Sequence, residues 1–188
     1  MADGRRPTLE ADQVATALRR SANDVEDTGY DDLTGWGMLD VAGALAQPSE
    51  RADAREPNED VRWIDGTLLD RSQPALRPDG RRLFARLDRS KDPADVYRLR
   101  LRPGARARVR LRTSDGDPAL ALYDARTRSV REQRHRIARS DRRGRRTETL
   151  LARNPARRAR TLFLRVALSR RTDTDTAAYR LAVTPVGR

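Results

Sequence analysis

Few side chains in this sequence could perform covalent or metal chemistry. The 188-residue chain has no cysteine and a single histidine, His135. Disulfides, thiolate nucleophiles, thiolate zinc sites and histidine-pair zinc sites are therefore excluded. Acyl transfer by a serine needs a base touching the nucleophile and a carboxylate orienting that base. Thr113-Ser114-Asp115 offers hydroxyls, but it falls in an expected turn with no glycine before it. His135 is set among arginines on a polar stretch, as a solvated surface residue would be. No Ser/His/Asp centre is expected, so no catalytic residue is assigned.

Oxygen donors are more plentiful. Glu56, Asn58, Glu59 and Asp60 stand together, and Asp92 and Asp95 precede an alternating apolar stretch that begins at Tyr97. Carboxylates and amide carbonyls on flexible segments are the donor set of calcium, which takes roughly six to eight oxygens. Glu56, Asn58, Asp92 and Asp95 are the candidate ligands, helped by Glu59 or Asp60 and backbone oxygens. Ordinary turn acids have the same composition, and Arg55, Arg62, Arg89 and Lys91 flank them as alternative counter-charges. Both readings stand at this point.

The third chemical feature is arginine. Of 40 basic residues only Lys91 is lysine, and the net charge is +12. The Ala, Arg, Leu and Asp bias is that of a GC-rich coding sequence, so part of the arginine stands where another genome would encode lysine. Residues 126–160 hold fourteen arginines against Glu132, Asp141 and Glu148. Arg142, Arg143, Arg145, Arg146, Arg157 and Arg158 are the candidate contacts to a polyanion, through charge and counterion release. Base-stacking aromatics are absent from the stretch, so sequence-specific nucleic-acid binding is not expected. The alternative reading is a solvated, mobile insertion between strands.

Charge also divides the chain. Residues 1–50 carry four basic and ten acidic side chains, whereas residues 51–188 carry 36 and 18. The periodicity changes along with the charge. Ala11, Val14, Ala15, Leu18 and Ala22 recur at helical spacing behind a possible Thr8 cap. Gly35-Trp36-Gly37 reads as a tight turn, and Asp40 as the cap of a short helix ending at Leu45. The organisation expected is a helix-loop-helix over residues 1–47, a linker over 48–55 and a β domain over 56–188.

In that β domain the period is two. Tyr97, Leu99 and Leu101 alternate with arginines, as do Ala105, Ala107, Val109 and Leu111 after Pro103-Gly104. This predicts an antiparallel hairpin with the arginines of 98–112 on a solvated face. Further strands are expected at Leu120–Tyr123, Leu162–Leu168 and Tyr179–Val183, and two more at Val61–Leu69 and Leu83–Leu87. Six to eight short strands with Gly and Pro turns describe a β-sandwich, with Trp63 in its core. No apolar run approaches the roughly 20 residues of a membrane span, and Met1 to Leu9 show no signal-peptide pattern.

The motifs of the first region, Pro7-Thr8-Leu9 with Asp12-Gln13-Val14, then Thr34-Gly35-Trp36-Gly37-Met38-Leu39-Asp40-Val41-Ala42, resemble the C-terminal end of subtilisin-like serine peptidase domains. The match spans about residues 7–46. The second region resembles the bacterial pre-peptidase C-terminal domain, through Glu56-Pro57-Asn58, Asp95-Val96-Tyr97, Leu120-Ala121-Leu122-Tyr123-Asp124 and Tyr179-Arg180-Leu181-Ala182-Val183. The resemblance implies a mostly β, jelly-roll-like antiparallel sandwich preceded by a short helical segment left from an α/β subtilase domain. It implies a secreted, non-catalytic accessory module that aids secretion, stability or substrate attachment, with the missing N-terminal peptidase domain as its partner. Related collagen-binding modules bind calcium through acids in similar places, which points to calcium at Glu56, Asn58, Asp92 and Asp95. The alternative implied by charge is a module for a polyanionic wall or matrix polymer. The family's Gly-Thr-Ser-Met-Ala-x-Pro segment, which carries the nucleophile, does not occur in these residues.

The purified chain is accordingly expected to hydrolyse no casein and to take no label from a fluorophosphonate probe. Labelling of a serine whose replacement abolished turnover would overturn this.

Overall fold

A computed structural model describes Leu9, residues 11–26, 31–47, Asp53, residues 55–68 and residues 71–187. The chain divides into two compact units between Asp53 and Ala54. No helix among the described residues is long and apolar enough to cross a membrane.

The first unit is built on helices α1 (Ala11–Ser21) and α2 (Val41–Ala46). The expected cap Thr8 lies outside the described residues. The Asp40 carboxylate accepts the Gly43 N–H at 2.8 Å and so starts α2, while the Ser21 hydroxyl donates to the Asp40 carbonyl at 2.9 Å. Asn23 and Met38 exchange two backbone hydrogen bonds of 2.8 Å. Gly37 at φ +91° permits that approach, because a Cβ there would meet the Asn23 carbonyl oxygen at 2.1 Å. The Arg19 guanidinium sits 5.4 Å from the Trp36 ring centroid. Thr16 and Ser21 of α1 and the following Ala22 are buried, whereas Val14, Leu33, Met38, Leu39, Val41 and Leu45 are exposed.

The second unit is a β-sandwich of eight strands: β1 (Arg82–Asp88), β2 (Ala94–Leu101), β3 (Arg106–Thr113), β4 (Pro118–Tyr123), β5 (Arg136–Ser140), β6 (Glu148–Arg153), β7 (Arg160–Leu168) and β8 (Thr176–Val186). They form two antiparallel sheets ordered β1-β8-β3-β6 and β2-β7-β4-β5. The pairings nest: β4 with β5, β3 with β6, β2 with β7, β1 with β8. That is a ribbon folded at its middle and rolled over itself, the jelly-roll arrangement.

Alternation sets the two faces. Along β3, Arg106, Arg108, Arg110 and Arg112 point outward, while Ala107, Val109 and Leu111 are essentially fully buried. Leu99, Leu101, Leu120, Leu122, Leu162, Leu164 and Leu181 fill the space between the sheets.

Three expectations are corrected. Residues 97–111 are not a hairpin: β2 pairs with β7 and β3 with β6 and β8, so the Pro103-Gly104 turn carries the chain from one sheet to the other. Leu99 and Val109 thus enter the core from opposite sheets instead of lying side by side. The strand expected at Val61–Leu69 is absent from its described part, residues 61–68, because Asp60 caps a one-turn helix, α3 (Val61–Ile64), and buried Trp63 belongs to that helix and not to the inter-sheet cluster. The arginine-rich stretch 126–160 is not a plain insertion, since it supplies β5 and β6.

Two buried polar side chains hold connections in place. Asn154 donates to the carbonyls of Leu101, Arg102 and Arg158, tying the β2–β3 turn to the β6–β7 turn. Asp60 Oδ1 accepts the N–H groups of Val61 and Val130 at 2.7 Å each, and its Oδ2 accepts the Ser129 hydroxyl at 2.6 Å. Asp60→Ala would strand three donors and remove the α3 cap. A loss of about 2–4 kcal/mol is expected, read as a lower urea midpoint at unchanged m-value.

Candidate cation site

The acidic corner is assembled from two segments, the stretch entering the sandwich and the β1–β2 turn running into β2, held by local hydrogen bonds. Glu56 is carried by the stretch entering the sandwich. The Gln73 side-chain amide donates to the carbonyls on both sides of it, Arg55 at 2.7 Å and Pro57 at 2.9 Å. Asp92 closes the β1–β2 turn. Asp88 and Asp92 exchange backbone hydrogen bonds of 2.9 Å, and the Asp88 carboxylate accepts from Ser90 N, Ser90 Oγ and Lys91 N. Asp95 lies at the start of β2, fully buried, next to Val96, whose N–H donates to the Asn58 carbonyl at 2.7 Å.

Carboxylate oxygens of Glu56, Asp92 and Asp95 lie within 4.8 Å of one another. At such separations, two unit charges repel by roughly 3–4 kcal/mol at an effective dielectric near 20. A cation among them turns repulsion into attraction. The donor set is oxygen alone, which suits a hard cation such as calcium. Asn58 adds to the fit. Its side chain is fully buried, and neither its amide oxygen nor its amide nitrogen has a hydrogen-bond partner among the described residues. A buried amide carbonyl of this kind is a suitable calcium ligand.

The corner is wired into the core. Tyr179 on β8 donates to Asp95 Oδ2 at 2.5 Å, and the Tyr97 and Tyr179 hydroxyls meet at 2.6 Å. Burial, reinforced by Asp95 and by Tyr97, holds the Tyr179 phenol well above its ordinary ionisation range. Sequence reasoning placed Tyr97 and Tyr179 only by their alternation. The available signal was that buried phenols on inward positions require polar partners.

The other expected residues fall elsewhere. Asp60 is occupied with Val61, Ser129 and Val130. Glu59 is buried in the same segment. Of the flanking cations, Arg55 donates to the Pro74 carbonyl, and Arg89 to the Thr172 and Thr174 carbonyls with Asp175 at 3.3 Å. Arg142, Arg143, Arg145 and Arg146 are exposed in the β5–β6 loop, and Arg157 and Arg158 are exposed in the β6–β7 loop. These loops leave opposite ends of β6, a strand roughly 20 Å long at about 3.4 Å per residue, so the six do not form one patch. His135 is half-buried with Nδ1 3.5 Å from Asp124. Ser114 Oγ faces the Ala178 carbonyl. No serine or threonine hydroxyl hydrogen-bonds His135 among the described residues.

The raised ionisation of Tyr179 has a definite sign. The folded chain keeps this proton above pH ~10, where an unfolded tyrosine releases it. Its stabilising contribution is therefore complete below pH ~10 and is lost as pH rises through the folded value. Tyr179→Phe is expected to cost about 1–3 kcal/mol at neutral pH and to flatten the alkaline fall in stability, followed by urea unfolding at stepped pH.

No protein-family model and no curated protein matches the chain. Among solved structures, it is similar to the pre-peptidase C-terminal domain of a collagenase from Bacillus anthracis, at 13% identity and TM-score 0.41, covering 61% of this chain and 100% of that one. It is also similar to PliG of Aeromonas hydrophila, a periplasmic inhibitor of g-type lysozyme, at 15% identity and TM-score 0.41, covering 57% of this chain and 86% of that one.

Proposed function

We propose that this chain is a non-catalytic accessory module of a secreted subtilisin-like serine peptidase, whose sandwich is steadied by calcium held by Glu56, Asn58, Asp92 and Asp95. The observation that carries the calcium reading is the convergence of three carboxylates, half-buried Glu56 and Asp92 with fully buried Asp95, within 4.8 Å of one another. Calcium there would join the segment entering the sandwich to the β1–β2 turn and to the first residues of β2. Its chemistry is structural: it neutralises the acids and fixes segments that backbone pairing reaches only in part.

Support for the peptidase parentage comes from the two spaced motifs of residues 7–46 and from the surface of the first unit. Val14, Leu33, Met38, Leu39, Val41 and Leu45 stand exposed there, as expected of a piece whose apolar side faces a larger domain. An in-frame Gly-Thr-Ser-Met-Ala-x-Pro segment in the coding sequence upstream of Met1 would support the parentage, and its absence there would remove it.

Calorimetric titration and thermal unfolding test the calcium site. The informative variant is Glu56→Gln with Asp92→Asn, because Asp95 also anchors Tyr179 and its replacement would confound the result. At calcium a hundredfold above Kd, the unaltered chain is expected to gain about 2.7 kcal/mol, and the double variant little. Neither heat nor stabilisation at millimolar calcium would end this reading.

A further inference from the structure

Residues 72–80 run from the outer side of β2, an edge strand of one sheet, into β1, an edge strand of the other. Leu76 takes the outer edge of β2, with its N–H donating to the Arg98 carbonyl at 2.7 Å and its carbonyl accepting the Arg100 N–H at 3.2 Å. Gly80 N–H donates to Val183 on β8 at 2.9 Å. Beside this segment runs a hollow of about 890 Å³, adjoined by a second of about 600 Å³, the two meeting at Arg77, Asp79 and Arg100.

Eight arginines line the pair, and Asp79 is the one acidic residue in either lining. Asp79 is itself 3.5 Å from Arg81. The remaining guanidiniums, among them Arg77, Arg82, Arg98, Arg100 and Arg106, border the trough with no lining carboxylate left to them. Arg98 is held in place by Nη1 donating to the Gln73 carbonyl at 3.0 Å, and its buried Nε has no hydrogen-bond partner among the described residues. The lining also includes Pro74, Leu76, Leu83 and Phe84.

We propose that this trough binds a linear acidic polysaccharide. Guanidinium forks match carboxylate and sulfate groups in pairs of hydrogen bonds, which a point-charge ammonium does not. Sugar rings present C–H faces to the apolar lining while their acid groups reach the arginines at the rim. A single-stranded nucleic acid would need successive aromatic platforms. The trough has one ring, Phe84, and the Arg180 guanidinium lies 5.1 Å from its centroid. This site uses none of the loop arginines 142–146 or 157–158, and it stands apart from the calcium reading.

The test is affinity for a size-fractionated heparin oligosaccharide, measured in EDTA across a salt series. Arg77→Ala with Arg100→Ala removes two exposed trough arginines. Arg143→Ala with Arg145→Ala removes the same charge from the β5–β6 loop. The trough pair is expected to weaken binding about tenfold or more and to lower the salt slope by about two, with the loop pair changing affinity less than about twofold. A second trough pair, Arg102→Ala with Arg106→Ala, should repeat the loss, and thermal unfolding confirms that each variant is folded. Equal loss from trough and loop pairs would mean diffuse charge and overturn the proposal, as would no binding at all. Oligothymidylate binding as tightly as the oligosaccharide would overturn the polymer class.

Discussion

One hydrogen-bonded chain fastens the sandwich across its core. Tyr179 stands on β8 in the first sheet, and Asp95 and Tyr97 stand on β2 in the second. Leucine packing between the sheets has no direction, so it tolerates sliding that hydrogen bonds do not. A buried carboxylate and two buried phenols can be accommodated only if each finds its partner. The alignment of β2 against β8 is thereby fixed, and with it the position of Asp95. The acidic corner inherits its geometry from that alignment: Glu56 and Asp92 are brought to Asp95, not the reverse.

Arginine is distributed by a simple rule in this molecule. Strand alternation places it outside, as on β3, and leucines fill most of the space between the sheets. Where the rule is suspended, at the edges of the sheets, guanidiniums gather around apolar side chains and become a feature of shape as well as charge. Density of arginine along the sequence therefore does not tell which guanidiniums share a hollow. The run at 142–146 is a loop, while arginines scattered from Arg55 to Arg106 line two adjoining hollows.

Much of the fold was legible because it rests on local signals. Period-two alternation located β1 to β4, β7 and β8, and Asp40 marked the start of α2. The partnering of strands was not legible. Leu99 and Val109 alternate identically whether their strands lie side by side or face each other across a core, so the turn between them says nothing of the sheet each joins. Val61–Leu69 read as a strand from its apolar content, although Asp60 held the signal for a cap. β5 escaped notice because it is an edge strand with half-buried and exposed residues alternating and arginine at two of five positions. At the corner, the acids Glu56, Asp92 and Asp95 were found by type, but their tethers Gln73, Asp88 and Tyr179 were not. A tether is recognised by what it touches.

The nested pairing also bears on how the chain can be made. β8, drawn from residues 176–186, lies between β1 and β3 in the first sheet, so an interior place is taken by the last strand to be synthesised. Until it exists, β1 has no neighbour in its sheet, and Asp95 and Tyr97 lack their phenolic partner on the other side. Pairing such as Arg82 with Ala182 closes long loops and is slow to form compared with local contacts. The seven strands before β8 therefore cannot complete the first sheet, and the sandwich closes only when β8 takes its place between β1 and β3.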